Sequence, residues 1–380
     1  MSYQGFVWKN GMRNKRRTVL TMLSVALTLF VLSMLVTFIS EFDRSLERAN
    51  PLRLVTRYAV SVIALLPARY RAQIEKVPGV VAVTPLTYFG GIYIDPAHTD
   101  FSQYSCDPQT LFDVYPEITL PEEQKQAFLR ERVAAIVGRK KAEKHGWKLG
   151  DHITLKGEIF RHDVELTIRG IFSSPVAEGA VYFHHAYLEE ILDNPGIAGL
   201  YLIRVDATES VPRITKTIDT MFRNTSAPTK TETERSFQMS MISMLGNLKL
   251  LIATITSVIL FTLLLVTGNT MAMSVRERIR EVAVLKSLGF RRRQVLLLLT
   301  SEGVMITLAG GLIGCTATHL VSKFVDMPGL TQGFFQRFEV TWAITALGLV
   351  VSILVGLMGT AIPAYHAANL TVADGLRHVG

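Results

Sequence analysis

Two long apolar runs enclose a short basic one, and that arrangement limits what the chain can fold into more than any other feature. LLIATITSVILFTLLLVTGNTMAM (250–273) precedes the stretch SVRERIREVAVLKSLGFRRR (274–293), and VLLLLTSEGVMITLAGGLIGCTATHLV (295–321) follows it. A helix of roughly 20 apolar residues crosses the ~30 Å of hydrocarbon in a bilayer, and both runs exceed that length. The stretch between them is then a short loop joining two membrane spans. It carries seven basic residues (Arg276, Arg278, Arg280, Lys286, Arg291, Arg292, Arg293) against Glu277 and Glu281, a net +5. Short loops with such an excess stay on the cytoplasmic side. Within the loop Val275, Ile279, Val282 and Leu285 recur at helical spacing, which predicts a short amphipathic helix. Gly289 follows where a left-handed cap costs least. Such a helix either rests in the lipid interface with its arginines on anionic headgroups or offers a seat to a cytoplasmic partner. Spacing alone leaves both readings open.

The remaining spans follow from the same pattern. Residues 18–39 are twenty-two in a row without a charge. That is too long for a signal-peptide core, and the following ISEFDRSL offers no small-x-small cleavage site. They read as an uncleaved first span behind a cytoplasmic basic arm, 1–17, in which Phe6, Val7 and Trp8 suit the membrane interface. Beyond the third span comes an outer loop, 322–339, then a fourth span, 341–362, stopped by Pro363, and a tail, 363–380. Both termini are expected inside. The formal charge of +8 fits this layout: residues 1–17 hold +5, the 274–293 loop +5, and 41–247 has 24 basic against 26 acidic residues. Basic excess lies beside the membrane, where it meets lipid headgroups, and nucleic acid is excluded as a partner. Only Cys106 and Cys315 occur, one in each environment, so neither a disulfide framework nor a cysteine zinc site can be built.

Residues 40–247 form one exported block. Positions 41–50 continue the first span as helix until Pro51. Strands are expected at 53–62, 80–83, 91–94, 152–155, 164–171 and 199–205, the second and third around the turn-prone 89–91. Helices are expected at 68–76, 122–145 and 211–223, with Pro121 and Gly146 bounding the second. A further helix, 236–249, leads into the second span; its Met239, Met241 and Met244 suit helix packing better than a soft-metal site. The fold class is therefore an α-helical membrane protein with four transmembrane helices and a mixed α/β extracytoplasmic domain between the first and second.

The loop 274–293 resembles that of FtsX/MacB-type permeases of ABC transporters, on the pattern of Glu277, Arg278, Arg280, Glu281, Val282, Leu285, Lys286, Leu288 and Gly289. The likeness continues through Glu302, Gly303, Gly310, Gly311 and Gly314, and resumes at PAYHAANLTVADGLRH (363–378). EKVPGVVAVTP (75–85) and KLGDHITL (148–155) resemble the MacB-like periplasmic core domain, more loosely. The resemblance implies a two-lobed outer domain on a stalk formed by elongated first and second helices. It also implies a coupling helix that docks on a separate ABC ATPase subunit, which binds the ATP, through Arg278, Ile279, Glu281, Val282, Leu285, Lys286, Leu288 and Gly289. Two permeases, identical or homologous, pair with two ATPases in that family, and a periplasmic or lipoprotein partner can join them. The implied activity is export or extraction of a substrate from a bacterial inner membrane by force transmitted to the outer domain, with no catalysis in this chain. A relative that signals to a cell-wall hydrolase, and a membrane-anchored binding protein, are the alternatives; the latter has no use for an ordered loop between spans.

No chemistry competes with this reading. The chain has no G-x-x-x-x-G-K-[ST] phosphate loop, no G-x-S-x-G and no H-E-x-x-H, and no cofactor is expected. Asp95, His98 and Asp100 lie in a proline-containing loop where polar residues are ordinary, and His184 and His185 read as surface residues. Glu302, the one acid within a span, is a functional candidate by default; near the cytoplasmic interface it could reach headgroups or pair with a loop arginine, and the resemblance implies a helix-contact or coupling role rather than a proton relay. Gly310, Gly311 and Gly314 would let a neighbouring helix approach closely, Gly310 and Gly314 on one face.

Overall fold

The structure, a computed structural model, describes residues 15–95, 101–175, 177–244, 246–325 and 338–371. Most of the basic arm with Phe6, Val7 and Trp8, the candidates His98 and Asp100, most of the outer loop and the last nine residues of the tail lie outside that set. The chain divides into two compact units, a helical one (15–41, 247–325 and 338–371) and a sheet domain (42–246).

Among the described residues four helices are long and apolar enough to cross a membrane: Lys15–Arg48, Leu248–Glu277, Arg292–Ser322 and Trp342–Asn369. The last runs straight through Pro363, where the sequence reading ended it. A proline inside a helix costs about 3 kcal/mol, yet the turns beyond it are held. Ala364, Ala367 and Ala368 are buried against Val282, Val295 and Leu299.

The third and fourth spans meet along small residues four apart. Gly303 faces Thr360, Thr307 faces Gly356, Gly311 faces Ser352 and Cys315 faces Gly348. A Cβ on Gly311 would stand 2.8 Å from the Ser352 Cβ, and one on Gly348 2.8 Å from the Cys315 Sγ. Gly310 and Gly314 turn instead to the first span; a Cβ on Gly310 would stand 2.8 Å from the Met22 carbonyl oxygen, and Gly314 lies against that of Ala26. Helices in lipid gain little from burying apolar surface, so backbone-close packing of this kind is what associates them.

Among the described residues the sheet domain has twelve strands. In chain order they are Arg53–Tyr58 (β1), Leu66–Pro67 (β2), Val80–Tyr88 (β3), Gly91–Tyr93 (β4), Ser102–Cys106 (β5) and Ala134–Gly138 (β6). His152–Gly157 (β7), Val164–Phe172 (β8), Ala180–His184 (β9), Ile197–Ala198 (β10), Leu200–Val205 (β11) and Thr229–Thr233 (β12) complete them. Ten form one sheet in the order β12-β1-β11-β3-β5-β9-β6-β8-β7-β4, and β2 pairs with β10 apart from it. Adjacent strands are antiparallel except β5–β9 and β6–β8. Although β3 and β4 flank the turn at 89–91, they form no hairpin; β4 pairs with β7 at an edge.

Alternate residues of each strand serve different cores. Val55, Leu202, Tyr182 and Ile136 lie on one face in a single central cluster. On the other face Leu54 and Ile203 pack at one end with the helices Tyr70–Ile74 and Val211–Phe222, the Tyr70 and Phe222 rings stacked 3.9 Å apart. Ala135, Val137 and Phe183 pack at the other end with Trp147 and Leu166. The two lobes thus share one sheet and are separated by their cores on one face.

The helix expected over 122–145 is a helix, a strand and a helix: Glu122–Arg130, β6 and Arg139–His145. Its bounding signals hold, since Pro121 is the N-cap and Gly146 is left-handed at φ +70°. The interior AAIVG is a continuous apolar run buried on both faces, which a central strand satisfies and a surface helix does not. The histidines are not on the surface either. His184 is buried with its Nε2 2.6 Å from the Phe128 carbonyl oxygen, and His185 is half-buried, its Nδ1 3.0 Å from Ser105 Oγ. Helix Glu234–Met244 ends before Gly246, at φ +81°, rather than running into the second span.

A buried arginine fastens the start of β1. Arg53, 2% exposed, donates from Nη2 to Glu117 (2.6 Å), from Nη1 to Glu234 (3.3 Å) and from Nε to the Val114 carbonyl (3.1 Å), with its guanidinium 4.0 Å above the Tyr115 ring. Removing a partner so that such a charge stays buried alone costs about 3–5 kcal/mol. The placement of β6 gives a direct prediction. Ile136→Ala should destabilise the domain by about 2–5 kcal/mol, as for a core position, read from the denaturant midpoint of its unfolding. A loss under about 0.5 kcal/mol, usual for an exposed site, would contradict a buried strand there.

Candidate functional site

The loop between the second and third spans is ordered at every turn. The second helix ends at Glu277, Arg278 breaks it at φ −111°, and a nine-residue helix, Ile279–Ser287, follows. Val275 therefore belongs to the end of the second helix and not to the loop helix. Gly289, at φ +95°, closes the loop helix: its N–H bonds to the Lys286 carbonyl and that of Phe290 to the Leu285 carbonyl, at 3.0 and 3.1 Å. This paired Schellman arrangement needs a left-handed residue at that position. The third helix then starts at Arg292, the Arg291 N–H donating to Gln294 Oε1 at 2.7 Å.

Three of the predicted docking residues face inward, four apart. Arg278 is buried and donates from Nη1 to Glu302 Oε2 at 2.6 Å, within the third helix. Val282 packs on Val295, Leu299 and Ala364. Lys286 Nζ donates to the carbonyls of Ala368 and Leu370, both at 2.7 Å. The last turn of a helix carries carbonyls with no partner inside the helix and a partial negative charge, so an ammonium there satisfies both needs. It also explains how the fourth helix persists beyond Pro363. Ile279, Glu281 and Leu285 are half-buried, and Leu288 is 72% exposed beside Val284 at 46% and Phe290 at 44%. The result is a helix held by one face, with an apolar rim left outside among Arg280, Arg291, Arg292 and Arg293, which are all exposed.

Glu302 thus stands at the root of this loop, whereas Gly310, Gly311 and Gly314 lie further along the third helix in its contacts with the first and fourth. The first helix also reaches the loop: Arg17 donates to Glu277 at 2.7 Å and to Ser274 Oγ at 3.0 Å. Sequence reasoning missed the fourth helix as the partner surface, although Gly348, Ser352, Gly356 and Thr360 repeat every four residues. It missed Ala364, Ala367 and Ala368 because Pro363 was read as a stop. Among the described residues no group of three side chains could hold a metal ion.

A buried pair is harmed most by losing one member. Glu302→Leu alone should lower the stability of the detergent-solubilised protein by about 3–5 kcal/mol, and the double replacement Arg278→Met, Glu302→Leu should recover most of it. Thermal unfolding of the three proteins checks this; equal midpoints for single and double variants would show that the pair is not coupled.

Two family profiles match the chain one after the other. The sequence profile of the MacB-like periplasmic core domain matches residues 18–221, and that of the FtsX-like permease C-terminal matches residues 253–372. The chain is 33% identical over 158 residues to an uncharacterised ABC transporter permease of Bacillus subtilis, covering 38% of each protein. It is 22% identical over 283 residues to an uncharacterised ABC transporter permease of Methanocaldococcus jannaschii, covering 73% of this chain and 70% of that one. With the macrolide export ATP-binding/permease protein MacB of Shewanella oneidensis it shares 32% over 108 residues, 28% of this chain and 16% of MacB. The chain therefore matches less than half the length of the Bacillus and Shewanella proteins. The crystal structure of the periplasmic region of MacB from Actinobacillus actinomycetemcomitans aligns with 52% of this chain and 97% of its own length, at 12% identity and a TM-score of 0.38. With more than half of its residues in the MacB-like core profile and its last three spans in the FtsX-like one, the chain belongs to the MacB/FtsX-type family of ABC transporter permeases.

Proposed function

We propose that the chain is a membrane subunit that couples ATP hydrolysis by a partner ABC ATPase to movement of its sheet domain, for export or extraction of a substrate. The observation that carries this reading is the two-faced loop helix. Arg278, Val282 and Lys286 bind it to the third and fourth helices, while Val284, Leu288 and Phe290 are left outside. A helix that only lay in the lipid interface would need no buried ion pair and no capped contact to the fourth helix. A helix that is pushed by a partner needs both, because a displacement of its outer face must reach the spans without being lost in side-chain motion. The matched MacB proteins are named as ATP-binding and permease proteins together, which supports an ATP-binding partner for the segment shared with this chain. On this reading the ATPase binds on the cytoplasmic side of a bacterial inner membrane, and the basic excess beside the spans supports an inside position for the loop and both termini. A second permease, identical or homologous, completes the assembly.

Leu288→Glu and Val284→Glu test the outer face. Each should abolish stoichiometric co-purification of the ATPase from native membranes, while membrane insertion and the thermal midpoint of the permease stay unchanged, since both side chains are exposed. Undiminished ATPase recovery with both variants would reject the docking face.

A further inference from the structure

The sheet domain carries its own fastening point, built from one carboxylate. Glu234 is the first residue of helix Glu234–Met244. Its Oε2 accepts the backbone N–H of Asn50 at 2.9 Å, two residues beyond the end of the first helix at Arg48. Its Oε1 accepts from Arg53 Nη1 at 3.3 Å, at the start of β1. A single side chain therefore touches the chain leaving the first helix, the helix ahead of the second span, and a strand flanked on both sides in the ladder. Glu117 joins Asn50 to Arg53 from behind, accepting from Asn50 Nδ2 at 3.1 Å and from Arg53 Nη2 at 2.6 Å. On the neighbouring turn Ser236 and Ser240 donate to Glu232 of β12, at 3.2 and 3.4 Å, and Arg57 of β1 does so at 3.1 Å.

We infer that Glu234 is the positioning residue through which the two membrane-connected segments deliver their movement to the sheet. The inference rests on the ATPase reading above and names where in the sheet domain that movement is received. Covalent continuity alone would carry tension along either segment, but it would leave their mutual angle free. A carboxylate shared between them fixes that angle, and its second oxygen ties it to an arginine that the Val114 carbonyl, Glu117 and the Tyr115 ring already immobilise. Rotation of one segment against the other then has to turn β1 and β12 with it. Removing Glu234 is also the gentlest way to open the joint, because Arg53 keeps Glu117 as its counter-charge.

The test is hydrogen exchange on the full chain with its co-purifying ATPase in lipid nanodiscs, with and without a non-hydrolysable ATP analogue. In the wild type the analogue should change exchange in the loop helix 279–287 and in β1 and β12. Glu234→Ala should keep the response of the loop helix and lose that of β1 and β12, with β6 and β8 protected as in the wild type. If faster exchange in β6 and β8 shows that the alanine variant is unfolded, Glu234→Gln replaces it. The glutamine keeps the shape and one acceptor, and the response in β1 should fall at least twofold. An undiminished response of β1 and β12 in either folded variant overturns the inference, as does a wild type whose loop helix responds while the strands do not. No response in the wild-type loop helix overturns the ATPase reading, and the inference with it.

Discussion

Close approach of the third and fourth helices is the condition on which the rest of the helical unit depends. Four successive contacts pair a small residue on one helix with a small residue on the other, from Gly303 and Thr360 to Cys315 and Gly348. Each step of four on one helix is matched by a step of four on its antiparallel partner, so the two backbones stay in register over roughly three turns. Continued past Gly303, the same register brings Leu299 and Val295 opposite Ala364 and Ala368. Those four side chains make the seat for Val282, and the carbonyls just beyond them take Lys286. The loop helix is therefore positioned by the packing of two spans, and its place would be lost if that packing opened.

Both units place a buried arginine–carboxylate pair where one element joins another. Arg278 and Glu302 do this at the root of the loop, and Arg53 with Glu117 and Glu234 at the start of the sheet. Such pairs add little net stability over well-packed apolar residues. What they supply is direction: a planar fork accepts a carboxylate in few geometries, so the joint has one arrangement where an apolar contact would tolerate several. That property suits elements asked to move as a body.

Most of the architecture was legible in the sequence because its signals are long. Four apolar runs, the basic excess at 1–17 and 274–293 and the neutral block between them need no tertiary information. Gly289 was legible for the same reason that it is used, since its place after the last apolar turn admits few other residues. The errors share a cause. AAIVG between Pro121 and Gly146 contains good helix formers, and only its burial on both faces makes it a strand. Pro363 breaks helices in isolation, yet here alanines and Lys286 on the far side hold the turn. His184 and His185 are polar by type and inside by position. The Arg53 joint was invisible because its parts, Asn50, Glu117 and Glu234, lie far apart in the chain and carry no common spacing.

The division of the loop helix into a bound face and a free face has an evolutionary consequence. Residues that hold the helix and residues that stand outside it are different residues, so selection can act on the two sets independently. Exchanging Val284, Leu288 or Phe290 changes the outer surface and leaves the seat intact. Under the docking proposed above, a cell that keeps several permeases of this type can diversify them at those few positions, giving each its own companion without rebuilding any membrane span.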